Sequence, residues 1–375
     1  MLEGAPPLAP DLGLFQVLRD DGSLDPEVDP RLDEALLLRM FRELKKLRLL
    51  DARMLRKQRQ GKVGFYGTAT GQEAMPVAAG LAVGPKDWVF QALRENFIMI
   101  VRGFPLGTFL AQTYGNRGDL LKGRQMPSHS SGRAVHHVSW GSCIANQLPQ
   151  AVGAAWAAKN RGEDAVVLGF VGDGGTSEPD FHAALNFAAV FHVPCVLICQ
   201  NNHWAISVPT ARQTASETIA VKGRAYGVPS VRVDGNDVIA LYDVLSKAIA
   251  TARAGRGPTF IEAVTYRIGA HSSSDDPTRY RSDEEVARWV ERDPLQRLRR
   301  NLAARGLVTD ANEAALESEL NDEISRAIDE VEPLGPPDRD TLFDDVYAEL
   351  PWHLAEQREE LRQTPPAPSH EGGGH

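Results

Sequence analysis

The chain has 375 residues, 42 % hydrophobic and 24 % charged, enough for one large or two smaller globular domains. A formal charge of −9 argues against a general nucleic-acid binder, and no apolar run approaches membrane-spanning length. Cys195 and Cys199 lie too far apart along one expected strand to bridge and Cys143 stands alone, which points to a reducing, cytoplasmic compartment.

Residues 1–31 are rich in Pro and Asp, without periodicity or the basic-then-apolar pattern of a signal peptide, and read as an N-terminal arm. From Leu32 to about Gln60, Leu36, Met40, Leu44, Leu47 and Met54 mark an amphipathic helix whose other face, dense in Arg and Lys, reads as solvated. A glycine-bounded loop follows with adjacent aromatics, Phe65 and Tyr66. A helix opens near Gly71 and ends near Gly84-Pro85. Trp88–Leu93 reads as a short strand with Arg94 at its carboxyl end, where a guanidinium suits a phosphate. Residues 115–141 lack periodicity, and a loop this long inside a compact domain is usually functional. Its adjacent His136 and His137 are poorly disposed to share a metal. Ser142–Lys159 reads as an alanine-rich helix.

The centre of the chain is the stretch 165–202. An apolar run over Ala165–Val171 stops at Gly172-Asp173-Gly174, and a second over Cys195–Cys199 stops at Asn201-Asn202. Such runs suit strands buried on both faces of a parallel sheet. Pro179 and the spacing of Phe181, Ala184, Leu185 and Ala188 place a helix between them. A right-handed crossover brings both carboxyl ends to one edge, so Asp173 and Asn202 face one crevice. One carboxylate and one amide oxygen make a hard site that fits Mg²⁺ shared with a phosphate. The flanking glycines admit phosphate to the backbone, and the helix amino terminus attracts anions. The spacing is neither a Rossmann fingerprint nor a P-loop.

The alternation continues through a helix near Ile219–Tyr226, a strand Ser230–Val233, a helix Val238–Ala254 and a strand Thr259–Tyr266. Asp234-Gly-Asn-Asp237 reads as a turn and cap. A loop from Arg267 through His271 and Asp276 to Arg281 joins hydroxyls, carboxylates and cations just past a strand end. Residues 283–363 read as a helical region with a Pro333–Pro337 linker, and 364–375 as a disordered tail. Asp344, Asp345, Trp352 and His353 suit docking better than catalysis.

Gly-Asp-Gly followed at this distance by Asn-Asn resembles the signature of thiamine-diphosphate enzymes. Together with Gly123-Arg-Gln-Met-Pro-Ser-His129, Trp204-Ala-Ile-Ser207, Val233-Asp-Gly-Asn-Asp237 and Tyr266–Arg281, the chain resembles the alpha subunit of the decarboxylating component of 2-oxo acid dehydrogenase complexes. The run YRIGAHSSSDDPTRYR and the closing LFDDVYAELP are most like the branched-chain members. The fold implied over residues 32–282 is α/β: an open parallel sheet flanked by helices, of the diphosphate-binding type.

The resemblance implies thiamine diphosphate and Mg²⁺ as cofactors, with Asp173, Asn202 and the Trp204 carbonyl as metal ligands. It implies Arg94, Ser142, Ile144, Gly172, Asp173, Gly174, Asn202, Ala205 and His271 around the cofactor, His271 and Ser142 as catalytic, and Phe65 and Tyr66 on the substrate wall. Arg267, Asp275, Tyr280 and Arg281 match a loop that orders over the site. Leu93 and Gln200 depart from the family, standing where a tyrosine and an arginine or acidic residue are usual; Ser142-Cys143 replaces Ser-Pro. The implied reaction is oxidative decarboxylation of a 2-oxo acid of the 2-oxoisovalerate type, with reductive acylation of a protein-bound lipoyl group. A pyruvate or acetoin dehydrogenase subunit with the same cofactor residues remains an alternative, as does a non-catalytic scaffold of the fold.

These enzymes also need a glutamate on the aminopyrimidine, which comes from a second domain not evident in this chain. The implied partners are a beta subunit that supplies it within a two-plus-two heterotetramer, and the lipoyl domain of the dihydrolipoyl acyltransferase core. Ser272–Ser274 are hydroxyls on which a phosphate would repel an anionic ligand beside His271.

Overall fold

The structure, a computed structural model, describes residues 12–365; the first part of the expected arm and residues 366–375 of the expected tail lie outside the described residues. Eight strands occur among these: β1 (Trp88–Phe90), β2 (His137–Val138), β3 (Val167–Gly172), β4 (Cys195–Asn201), β5 (Trp204–Ala205), β6 (Val208–Pro209), β7 (Ser230–Asp234) and β8 (Thr259–Val264). Six form one sheet in the order β2-β1-β3-β4-β8-β7, parallel at every pairing, while β5 and β6 make a small hairpin.

Burial on both faces explains the unbroken apolar runs. On β4, Val196 and Ile198 pack under the helices Ala74–Ala82 and Val238–Arg253. Cys195, Leu197 and Cys199 pack on the opposite face, under Gln147–Arg161 and Pro179–Phe191. The expected α/β fold with an open parallel sheet is therefore the fold observed. β1 and β3 are neighbours, yet the chain leaves β1 for β2 on one side and β3 for β4 on the other. That reversal opens a crevice at the strand carboxyl ends, where such sheets bind ligands.

Several boundaries differ from the sequence reading. β1 ends at Phe90, short of Leu93. The helix expected from Ser142 begins only at Gln147, because Ala145 adopts φ 72°, which an α-helix cannot contain. Ser142 and Ile144 therefore sit in the turn before the helix, not along it. β2 lies inside the long loop and is only two residues long, too short to leave a periodicity.

The basic face of helix Glu34–Arg59 is not simply solvated. It lies against the acidic helix Asp310–Val331: Lys45 reaches Glu313 at 2.7 Å, Arg42 reaches Glu319 at 2.9 Å, and Lys46 reaches Glu323 at 2.5 Å. Charge periodicity reports a polar face but not what covers it. The arm is likewise fastened to its own chain. Val17 and Leu18 are fully buried, and their amides donate to Asp237 Oδ2 at 2.7 and 2.6 Å. Asp237 Oδ1 meanwhile caps helix Val238–Arg253 through Ile239 and Ala240. Of the residues read as docking features, Asp345 pairs with Lys122 at 2.5 Å and Arg124 at 3.2 Å, while Trp352 stands 74 % exposed.

Candidate active site

The register of β3 and β4 sets Gly172 beside Gln200, so the chain delivers Asp173 and Asn202 to the same edge one and two residues later. Asp173 opens a tight turn, Asp173–Ser177, that leads into helix Pro179–Phe191. Its Oδ2 accepts from the Thr210 hydroxyl at 2.8 Å. Burial raises its pKa above the ordinary aspartate value, an effect the Thr210 hydrogen bond only partly offsets. Asn202 Oδ1 accepts from the Trp204 amide at 3.2 Å, and its Nδ2 donates to Gln72 Oε1 at 3.0 Å. Thr210 and Gln72 escaped the sequence reading because each reaches Asp173 or Asn202 only through tertiary contact.

The two glycines flanking Asp173 do different things. A Cβ on Gly172 would meet no atom within 4 Å, leaving its backbone open to a ligand. A Cβ on Gly174 would lie 2.5 Å from Ala205 Cβ, so Gly174 permits close packing of the β5 hairpin.

These groups floor a cleft of about 340 Å³. Arg94, Ser142, Ile144, Gly172, Asp173, Gly174, Asn202, Trp204, Ala205 and His271 all line it. Ile144 and Ile206 are 52 % and 53 % exposed at its mouth. Both amide atoms of Gln200, Nε2 of Gln72 and Oε1 of Gln147 are buried on its walls without a hydrogen-bond partner. Buried orphan amides are costly unless a ligand satisfies them. Open backbone at Gly172, a buried carboxylate and unpaired amides fit an anion joined to a hard cation. Among the described residues no cluster of three or more His, Cys, Asp and Glu is placed to hold a metal. A cation at Asp173 would therefore draw on neutral oxygens and on the ligand itself.

Arg94 is buried and donates to the carbonyls of Thr68 and His271, the latter at 2.8 Å. Burial, with Arg267 nearby, lowers its pKa to about 10. Burial also depresses His271 to about 4, with Arg94 and Arg267 adding to the effect, so its imidazole is neutral at pH 7. Arg267 is almost fully buried. It donates to the carbonyls of Trp204 at 3.1 Å and Ile206 at 2.7 Å and to the Tyr280 hydroxyl at 2.8 Å. Tyr280 donates to Asp275 at 2.6 Å, and Asp275 accepts from the His271 amide at 2.7 Å. Arg281 binds the carbonyls of Arg267, Ile268 and Gly269. The loop after β8 is thus closed on itself and on the Trp204 turn.

Phe65 and Tyr66 are not on the cleft wall. The Tyr66 hydroxyl turns inward to donate to Asp51 Oδ1 at 2.8 Å, and its ring lines adjoining cavities instead. Asp51 Oδ2 accepts from the Ala69 amide at 2.6 Å, and burial raises the carboxyl to about 7. Phe65 is half-buried outside the cleft lining. Adjacent aromatics in a glycine-rich loop carry no sequence signal for the direction each ring takes.

A family profile described as dehydrogenase E1 component matches residues 42–338. The chain belongs to that family. It is 42 % identical over 352 residues to the mitochondrial 2-oxoisovalerate dehydrogenase subunit alpha 2 of Arabidopsis thaliana, covering 93 % of this chain and 75 % of the relative. The mitochondrial alpha subunits of Bos taurus and Homo sapiens are each 41 % identical over 350 residues, covering 93 % of this chain and 77 % and 79 % of theirs. Membership bears out the resemblance read from the motifs and, with it, a thiamine-diphosphate-dependent dehydrogenase class. The cytoplasmic expectation is overturned, since these relatives are mitochondrial by name. Unbridged cysteines do not distinguish one compartment from another. Among the described residues no helix is long and apolar enough to cross a membrane.

Proposed function

We propose that this chain is the alpha subunit of a 2-oxo acid dehydrogenase acting on a branched-chain substrate of the 2-oxoisovalerate type. In this reading it works with a beta subunit and delivers the acyl group to a lipoyl domain. The observation that carries the reading is the meeting of Asp173 and Asn202 at adjacent strand ends, in a cleft walled by unpaired buried amides. The names of the similar alpha subunits support the substrate class.

Thiamine diphosphate, when bound, supplies the carbon nucleophile for the 2-oxo carbon and accepts the electrons released with carbon dioxide. Asp173, Asn202 and the Trp204 carbonyl would hold Mg²⁺. The side-chain hydrogen-bond partner of Asp173 is a neutral hydroxyl, so its charge is left for a cation to balance. Gly172 and the neutral His271 imidazole would meet the diphosphate as N–H donors, with Arg94 adding a positive charge behind them. Ile144 presents an apolar surface at the cleft mouth that would support the cofactor's bend, beside Ala205. The loop held by Arg267 and Arg281 would exclude water on the His271 side. Residues 32–282 then form the cofactor-binding unit, and residues 283–363 brace it through the ionic seam.

The test is coexpression with a beta-type subunit and a lipoyl domain, comparing turnover of 2-oxoisovalerate and pyruvate. Faster acylation of the lipoyl domain from 2-oxoisovalerate is expected, because an apolar pocket discriminates by about 1–3 kcal/mol per methylene. Preference for pyruvate would refute the substrate class. Full turnover by this chain alone would refute the shared site.

A further inference from the structure

Ser142 sits on the cleft wall, and its Oγ lies 2.8 Å from His129 Nε2. The other ring nitrogen, Nδ1, lies 3.0 Å from the Pro127 carbonyl. A carbonyl oxygen only accepts, so Nδ1 carries a hydrogen, and in that tautomer Nε2 offers a lone pair. The Ser142 hydroxyl must then donate to His129. Its oxygen then keeps lone pairs alone for any further partner, on a residue that lines the cleft.

The imidazole has little freedom to do otherwise. It is buried and stacks on Trp140, with ring centroids 4.1 Å apart and planes 13° from parallel. Trp140 Nε1 donates to the Ser128 carbonyl at 2.8 Å, and Ser139 Oγ donates to the His129 carbonyl at 2.9 Å. Segments 127–129 and 139–142 are thereby clamped across the loop. A carbonyl rather than a carboxylate backs the ring at Nδ1. The pair is built to orient the hydroxyl, not to make it a nucleophile.

We propose that His129 is a positioning residue that fixes Ser142 as a hydrogen-bond acceptor in the cleft wall, aimed at a ligand N–H such as the amino group of the cofactor's aminopyrimidine. This rests on the reading of the cleft as the thiamine-diphosphate site. Without the imidazole, the hydroxyl proton is free to turn into the cleft and oppose the incoming N–H.

The assembled alpha–beta complex, titrated calorimetrically with thiamine diphosphate in the presence of Mg²⁺, tests it. His129→Phe keeps a flat ring against Trp140 and removes both nitrogens; Kd should rise roughly three- to tenfold, the effect of one hydrogen bond. His129→Asn, which keeps an N–H for Pro127 but does not reach Ser142, should show the same rise if the Phe variant folds poorly. His129→Gln, whose amide oxygen can accept from Ser142, should restore near wild-type binding. Adding Ser142→Ala to His129→Phe should weaken binding no further than Ser142→Ala alone, the non-additivity of groups acting in series. A purely structural role for His129 would lower thermal stability without this coupling. Wild-type binding alongside unchanged Kd values for the Phe and Asn variants, or independent effects in the double variant, overturns the proposal alone. A wild-type complex that does not bind thiamine diphosphate overturns the reading of the cleft and this proposal with it.

Discussion

Arg94 donates to the carbonyl of His271 at 2.8 Å, joining positions 177 residues apart and fastening the turn after β1 to the loop after β8. The same guanidinium holds the Thr68 carbonyl. A lysine has the charge but not the planar fork that serves two acceptors at once. Arg94→Lys should therefore loosen residues 268–276, seen as faster amide hydrogen exchange there. Thiamine diphosphate affinity should fall about tenfold, the loss of one charge-assisted hydrogen bond. Exchange rates identical to wild type would show that Arg94 is not the tie.

At Gly174 the test is steric. Gly174→Ala puts a methyl 2.5 Å from Ala205 Cβ and should cost about 1–3 kcal/mol in urea denaturation, as overpacking does. Ala205→Gly in the same chain removes the clashing atom and should recover most of the loss. A cost that persists in the double variant would place its origin elsewhere.

Asp173→Asn separates charge from shape. Burial raises the Asp173 pKa, so holding its carboxylate charge costs the ligand-free fold more than it costs the unfolded chain. Its neutral amide should leave the ligand-free Tm equal to or above wild type, since the Thr210 hydrogen bond is kept. Mg²⁺-dependent binding of thiamine diphosphate should weaken by at least roughly 100-fold. A large fall in Tm without ligand would contradict the burial argument.

The pH dependence of stability follows from Asp51, raised from 3.8 to about 7, and Glu95, raised from 4.5 to about 7, both by burial. Between those limits the folded chain keeps protons that the unfolded chain has released, so both groups make stability fall as pH rises from about 4 to about 7. His271, lowered from 6.5 to about 4, acts in the opposite sense, because the unfolded state binds the extra proton. Its contribution rises with pH over about 4 to 6.5. Asp51→Asn isolates one component. The stability difference, wild type minus variant, should shrink across pH 4 to 7 and level off above it; a flat difference would mean Asp51 is ionised throughout.

The strand–helix–strand unit was legible because its information is local. Apolar runs of seven and five residues, ahead of Gly172 and Asn201, dictate strands buried on both faces, and parallel pairing then places Asp173 and Asn202 together. What stayed hidden depends on partners distant in sequence or on the direction of one side chain. The lysines of the first long helix look solvated until the Asp310–Val331 helix lies over them. Tyr66 reads as an aromatic of a glycine-rich loop, with no sign that its hydroxyl turns inward to Asp51 on the preceding helix. Ser142 reads as helical until the left-handed Ala145 places it in a turn, within reach of His129.

The Arg94–His271 tie also sets a schedule. On a ribosome adding about 5–20 residues per second, roughly 9 to 35 seconds separate the appearance of these two residues. Until His271 has emerged, the nascent chain displays β3, β4 and Asp173 without the far wall of the cleft. A growing chain therefore has no enclosed site in which to capture a ligand early, and loading must await synthesis of the loop after β8.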